Sequence, residues 1–470
     1  MTDADFAWQS ALDLRHAILR KEVSPVDVVR AALDRLAAVE PALNAFVTPT
    51  PDAALDAARR AEQAIVRGEA TGPLAGLPIS VKDVIPVAGV RFTFGSRAFA
   101  DNVATADAPL VERLRAAGAA LLGKTTTSEF GCKAVGDCPL TGATRNPWDV
   151  SKTAGGSSAG AAASVAAGVT PFAIGTDGGG SLRIPGALTG LFAVKPQFAR
   201  VPMFPVSAAP TLGHAGVMAR TVRDAALLLG VVSGFDARDA FSVAAPVPDY
   251  LAACDRGVRG MRVAWSPTLG YARPTPEVAA IAAAAARAFE ALGCEVEEVD
   301  AVFDADPVEV WTTEFYTGIG TRLKHLLAPA TRELLDPPVV EILSSALGRS
   351  AEAYYATVFE RYALREKMRL FFERFDLLLS PTLPVVAFDV FRDLPPELPD
   401  RNLVSWVYYT YPFNLTGQPA ASIPAGCTAA GLPVGLQMVS RTNAEVDLFR
   451  AAAALEAARP WAGRRPALDG

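Results

Sequence analysis

Two glycine- and serine-rich segments carry the chemistry this sequence most plainly offers: Gly155-Gly156-Ser157-Ser158-Ala159-Gly160 and Gly175-Thr176-Asp177-Gly178-Gly179-Gly180-Ser181-Leu182-Arg183. Clustered glycines tolerate positive φ and let an atom approach the main chain, so several N–H groups can converge on one point. A serine at the end of such a loop, here Ser181, can attack a carbonyl carbon. The N–H groups of Gly178, Gly179, Gly180 and Ser181 are then candidates to hold the developing oxyanion. A serine nucleophile needs a base, and the chain has only three histidines, His16, His214 and His325. Lys82 is the alternative. It ends the β-like run Pro78-Ile79-Ser80-Val81-Lys82, an apolar setting in which desolvation disfavours the ammonium form. The same residues also read as an ordinary charged pair, Lys82 with Asp83, at the end of a strand.

Two further patterns match by letter. Gly118 to Thr125 reads G-x-x-x-x-G-K-T, the phosphate-binding loop, yet its variable positions Ala119, Ala120, Leu121 and Leu122 suit a buried strand that follows a helix. Nucleotide binding is therefore set aside. Gly156 to Gly160 reads G-x-S-x-G around Ser158, the nucleophile elbow of α/β-hydrolases, but a polar, proline-containing stretch precedes it where a buried strand is needed. His214 or His325 remains available to complete such a triad.

These segments must be held by alternating strands and helices. Apolar positions from Ser10 to about Gly68 recur at helical spacing, with Ser24-Pro25 as a cap and first-turn signal. A strand is expected over 78–82, a helix over 108–117 closed by Gly118, and a strand from Ala119. A long polar loop over 133–154 then leads to an Ala-rich helix beginning near Ser157. Met261 to Trp265, the helix opened by Thr275-Pro276, and Cys294 to Val299 read as a further β-α-β unit. No repeat or low-complexity linker divides the chain, so one large α/β domain is expected, with a helical lead-in over 1–70, a catalytic core over 71–230, a variable pocket-forming region over 231–375 and the rest of the core over 376–470.

Composition bounds the partners. Of the 470 residues 51% are apolar and 20% charged, which suits a well-buried globular protein. The formal net charge of −6, from 44 basic and 50 acidic residues mixed along the chain, builds no field for nucleic acid or an anionic membrane. The N-terminal stretch lacks a continuous apolar core and no run is long enough to span a bilayer, so the expectation is a cytoplasmic protein acting on a small neutral or weakly charged molecule. Five scattered cysteines, with no C-x-x-C pair, suggest neither zinc nor a disulfide framework.

Taken together, the segments resemble the amidase-signature hydrolases. Gly76-Leu77-Pro78-Ile79-Ser80-Val81-Lys82-Asp83 is similar to that family's lysine segment, and the blocks Thr153–Gly168 and Gly175–Pro185 to its central signature. Leu122-Gly123-Lys124-Thr125, Asn146-Pro147-Trp148-Asp149, Leu379-Ser380-Pro381-Thr382 and Asn414-Leu415-Thr416-Gly417-Gln418-Pro419-Ala420 extend the likeness over about residues 70–440. The resemblance implies an α/β/α fold around a mixed sheet of about eleven strands, with no cofactor. It also implies a Ser-cisSer-Lys triad: Ser181 as nucleophile, Ser157 in a cis linkage as proton shuttle, and Lys82 as base. Gly178, Gly179 and Gly180 would form the oxyanion hole, with Ser158, Asp177 and Arg183 in support. Gly131, Cys132 and Val407 are the expected substrate-binding positions. Members that hydrolyse glutamine for a tRNA amidotransferase carry an acidic residue shortly before the Asn-Leu-x-Gly segment; the position here is Val407, beside Trp406, Tyr408 and Tyr409. The implied activity is thus hydrolysis of an apolar or aromatic amide by a free-standing enzyme, with a homodimer as the default assembly. The alternatives are a glutaminase subunit or a non-catalytic binding protein on the same fold.

Overall fold

Strand formation begins where the residue types demand it. In Pro78–Lys82 the β-branched Ile79 and Val81 favour an extended, pleated surface, and Pro78 stands at the first position, where a missing N–H is tolerated; all five residues are buried. In the computed structural model, which describes residues 6–468, this strand lies inside a sheet of eleven strands. In chain order they are β1 Phe46–Pro49, β2 Pro78–Lys82, β3 Ala120–Thr125, β4 Phe172–Asp177, β5 Phe192–Lys195, β6 His214–Ala219, β7 Arg262–Trp265, β8 Glu295–Glu298, β9 Leu377–Pro381, β10 Ala420–Cys427 and β11 Pro433–Ser440. Their order across the sheet is β1-β3-β2-β4-β6-β5-β10-β11-β9-β7-β8. β2 runs parallel to both β3 and β4, and β9, β7 and β8 are mutually parallel, while the remaining pairs are antiparallel. The mixed sheet expected from the resemblance is present.

Alternation along the strands builds apolar layers on both faces. Leu377 and Leu379 of β9 join the cluster that includes Val263, Phe289 and Leu448, whereas Leu378 between them joins the cluster of Trp311, Tyr316 and Trp406. The first layer is covered by helices such as Val222–Val232, Pro276–Ala291 and Glu445–Ala458. The second lies under Val308–Leu323 and Pro337–Ala346. The region over 231–375 is thus largely helical. Among the described residues, no helix is long and apolar enough to cross a membrane.

The lead-in contains α1 (Ala11–Leu19), α2 (Pro25–Leu43) and α3 (Pro51–Val66). Ser24 caps α2 by accepting the Val26 N–H at 3.0 Å. The reading of this stretch as helical alone needs correction: β1 lies between α2 and α3 and pairs antiparallel with β3 as the edge of the sheet. Four residues bounded by helices give too short a pattern to reveal a period of two. The loop expected over 133–154 is also more ordered than its polarity suggests, folding into two small antiparallel ribbons, 137–138 with 142–143 and 145–146 with 149–153. Helix α4 (Pro109–Ala116) precedes β3, α5 (Ala159–Ala166) follows the first serine block, and α6 (Arg183–Thr189) follows the second.

Candidate active site

Because β2 and β4 are parallel neighbours, their carboxyl ends bring Lys82, the last residue of β2, beside Thr176, near the end of β4. Strand ends of this kind are where α/β sheets place their sites. Lys82 is fully buried, with Nζ 2.7 Å from Ser157 Oγ and donating to Thr176 Oγ1 at 2.9 Å. It has hydroxyl neighbours and, among the described residues, no ion-pair partner. Burial therefore lowers its pKa to about 7, against a weaker upward pull from Asp177.

Asp83 does not pair with Lys82. Its carboxylate accepts Lys124 Nζ at 2.7 Å and the Thr93 N–H at 3.0 Å, together with the Thr93 hydroxyl. The reading of Lys82 and Asp83 as an ordinary charged pair at a strand end is corrected accordingly: successive residues of an extended chain point to opposite faces. The lysine of the phosphate-loop pattern, Lys124, is thereby committed to a buried ion pair.

The Gly156–Ser157 peptide bond is cis. Ser157 is 2% exposed, and Gly131 lies against it: a Cβ at that position would stand 3.3 Å from Ser157 Oγ, and the backbone there has φ +72°. Ser158 is buried at the N-cap of α5, where its hydroxyl donates to the Thr176 carbonyl at 3.1 Å and receives the Thr176 N–H at 3.3 Å. Its own N–H donates to the Ser181 carbonyl at 3.2 Å, which ties the two serine blocks together. Ser181 is half-buried at the turn entering α6. No histidine engages Ser158. His214 lies on β6 with Nδ1 2.8 Å from the Leu212 carbonyl, and His325 is exposed. The nucleophile-elbow alternative thus lacks its base, and the strand before it, 149–153, belongs to a largely exposed ribbon and not to the main sheet.

Asp177 and Arg183 lock the loop that carries Ser181, the expected nucleophile. The guanidinium donates through Nε and Nη2 to the two carboxylate oxygens of Asp177, each at 2.9 Å, and also to Thr410 O, Gln437 Oε1 and Asn414 Oδ1. Burial alone would raise the Asp177 pKa, but Arg183 overrides it and holds the carboxyl well below the usual range. Asp177 Oδ1 also accepts the Gly180 N–H at 2.8 Å. That donor is therefore already engaged, leaving the N–H groups of Gly178, Gly179 and Ser181 as the free members of the expected oxyanion set.

The loop is pressed between two elements that sequence reading did not connect to it. Trp311 Nε1 donates to the Gly178 carbonyl at 2.8 Å, and a Cβ on Gly179 would lie 2.4 Å from the Trp311 ring, so glycine is obligatory there. Trp311 stacks on Phe315, their ring centroids 4.7 Å apart. From the other side Thr410 Oγ1 donates to the Gly179 carbonyl at 2.6 Å. Thr176, Thr410 and this aromatic clamp are the parts of the site that were missed. Thr176 carried a signal, a hydroxyl next to Asp177 in the second block, and Trp311, with Phe315 and Tyr316, falls in the variable region over 231–375 expected to form the pocket; Thr410 carried none.

The expected substrate-binding positions diverge. Gly131 faces Ser157, whereas Cys132 is 1% exposed, gives its carbonyl to Tyr316 Oη at 2.8 Å and has a thiol pKa pushed well up by burial. Val407 is also 1% exposed, and its carbonyl lies 2.9 Å from Thr410 Oγ1, second to Gly179 O as acceptor of that hydroxyl. What that segment presents to the nucleophile loop is Thr410. The half-buried rings of Phe92, Phe94, Phe99 and Phe130 cluster with paired centroids 4.1–6.3 Å apart, and Phe130 directly precedes Gly131 in the chain.

Comparison with known proteins agrees with this arrangement. A family model described as Amidase matches residues 27–449. An acylamidase of Rhodococcus erythropolis is 36% identical over 480 residues, covering 99% of both chains. A glutamyl-tRNA(Gln) amidotransferase subunit from Acidothermus cellulolyticus is 38% identical over 492 residues, covering 97% of this chain and 95% of its own. The crystal structure of a bacterial aryl acylamidase of the amidase signature family superposes with a TM-score of 0.91 at 32% identity, covering 97% of this chain and 99% of the other. Sequence and fold thus agree over nearly the whole length, and the chain belongs to the amidase signature family, hydrolases that act on the carbon–nitrogen bond of amides.

Proposed function

We propose that the enzyme hydrolyses apolar or aromatic amides through an acyl-enzyme on Ser181, with Ser157 as proton shuttle and Lys82 as base. The observation that carries this reading is the buried Lys82 ammonium site, 2.7 Å from Ser157 Oγ with a pKa of about 7, which makes a neutral amine available at ordinary pH. Ser181 Oγ attacks the carbonyl carbon; its proton passes to Ser157 Oγ as the Ser157 proton passes to Lys82 Nζ. The N–H groups of Gly178, Gly179 and Ser181 hold the oxyanion, each donor contributing about 3–4 kcal/mol to transition-state stabilisation. Return of the proton along the same relay to the leaving nitrogen breaks the carbon–nitrogen bond. Water, activated by the relay in reverse, then releases the acid.

The substrate class rests on two supports. Phe130, part of the phenylalanine cluster, directly precedes Gly131, the glycine that faces Ser157, and the similar enzymes include an acylamidase and an aryl acylamidase. The likeness to amidotransferase subunits favours glutamine as a second reading, but Val407 supplies no carboxylate for a substrate ammonium. Steady-state assays on a series of acyl anilides, on aliphatic amides and on glutamine decide between them. Hydrolysis of anilides, with glutamine inert, is the expected result. Glutamine turnover with a comparable kcat/KM would replace this reading by the glutaminase one.

A further inference from the structure

A cleft of about 240 Å³ opens on the side of the molecule where α5 and α6 end. Trp8, Trp148 and Trp461 line it, three of the six tryptophans in the chain, together with Arg220, Arg459 and Arg464 and no acidic residue. Its charge is opposite to that of the chain as a whole, which is −6.

The polar atoms of the walls are assigned in a way that leaves one kind of chemistry free. Trp148 Nε1 donates to the Thr189 carbonyl at 2.8 Å and Trp461 Nε1 to the Arg220 carbonyl at 2.9 Å, so both indoles are fixed and offer π surface. The Arg220 guanidinium is spent on the carbonyls of Val165, Thr170 and Gln9. Arg459 and Arg464 have no ion-pair partner among the described residues, and both keep solvent-accessible surface. Half-buried indoles bind flat rings by stacking, and an unpaired guanidinium fork matches a carboxylate. The volume lies below the roughly 300–1,000 Å³ of sites for drug-sized ligands, which limits an occupant to one ring or two fused rings.

The Trp8 ring is already faced by the Arg220 and Arg465 guanidinium groups, at 5.7 and 5.0 Å. We infer that this cleft binds a small planar aromatic carboxylate, its ring against Trp148 and Trp461 and its charge on Arg459 and Arg464. The cleft shares no residue with the triad or the nucleophile loop. Its floor includes Ala166, the last residue of α5, and Thr189, the last of α6; at 1.5 Å per residue these helices set it roughly 10 Å from the serines at their other ends.

Isothermal titration of 2-naphthoate into full-length Ser181→Ala protein, which removes the proposed nucleophile, tests the inference. One binding site is expected, weakened at least tenfold by Arg459→Gln with Arg464→Gln in the same background, and unchanged by Lys82→Ala. 2-Naphthylmethanol, with the same ring and no charge, should bind at least tenfold more weakly than 2-naphthoate. Both arginines are on the surface, and circular dichroism checks that the double variant is folded. Absence of binding into the millimolar range, equal binding of the alcohol, or affinity retained without the arginines would each overturn the inference.

Discussion

Lys82 and Lys124 lie on paired strands one residue apart in register, Val81 opposite Lys124 and Lys82 opposite Thr125, and both are almost completely buried. Their surroundings differ. Lys124 faces a carboxylate, Asp83, at 2.7 Å; Lys82 faces the hydroxyls of Ser157 and Thr176. Burial lowers both pKa values, but at Lys124 the adjacent Asp83 charge opposes it directly. Equal burial thus yields two kinds of lysine: one neutralised by an ion pair that fastens β2 to β3, the other left to lose its proton near neutrality. The pairing of Asp83 with Lys124 also removes a carboxylate that would otherwise favour the charged form of Lys82.

Substituting each lysine separates the two roles. Lys82→Met should lower kcat about 10²–10⁴-fold, the range of a general base, with KM little changed. Lys124→Met should instead act mainly on stability, costing about 3–5 kcal/mol in denaturant unfolding because Asp83 is left buried and unpaired. Restoring neutrality with Asp83→Asn in the same chain should recover a large part of that loss. If Lys124→Met lowered kcat as far as Lys82→Met while leaving stability intact, the division of roles would be wrong.

The contrast extends to pH. Between about pH 7 and the ordinary lysine value of 10.5, native Lys82 is neutral while the unfolded chain carries the proton, so its contribution to stability improves as pH rises through that window. Below pH 7 the penalty is complete, with a ceiling of about 5 kcal/mol. Lys82→Met should therefore raise the unfolding temperature at pH 6 and lose this advantage as pH approaches 10.

Smaller effects should come from the clamp on the nucleophile loop. Thr410→Val removes the hydrogen bond to the Gly179 carbonyl while keeping the side-chain shape, and should cost about 0.5–1.5 kcal/mol in kcat/KM, roughly two- to thirteenfold. Its pH profile should keep the wild-type inflection, since no charge near Lys82 changes.

Sequence and structure diverge most where partners come from distant positions. The strand ending at Lys82, the Ser24 cap and the helix opened by Thr275-Pro276 were legible because local patterning and capping determine them. The two serine blocks were legible because their glycines answer to local backbone demands. Which lysine takes Asp83 was not, since the pairing depends on the parallel placement of β2 beside β3, 41 residues apart at Asp83 and Lys124. Nor was the engagement of Gly180 by Asp177, which divides four apparently equal N–H donors into one structural and three free. The edge strand β1 and the Trp311 clamp escaped for the same reason: each is defined by what it packs against.

In the proposed mechanism Lys82 is the uncharged base that activates Ser181 through Ser157. The most direct test is the rate of fluorophosphonate labelling of the protein as a function of pH, with the modified residue mapped by mass spectrometry in the wild type and in Lys82→Ala. The account predicts an adduct on Ser181 whose rate rises with pH through a single inflection at about 7, and a rate in Lys82→Ala that is lower by orders of magnitude and without that inflection. An adduct on another serine, or the same inflection persisting in Lys82→Ala, would contradict it.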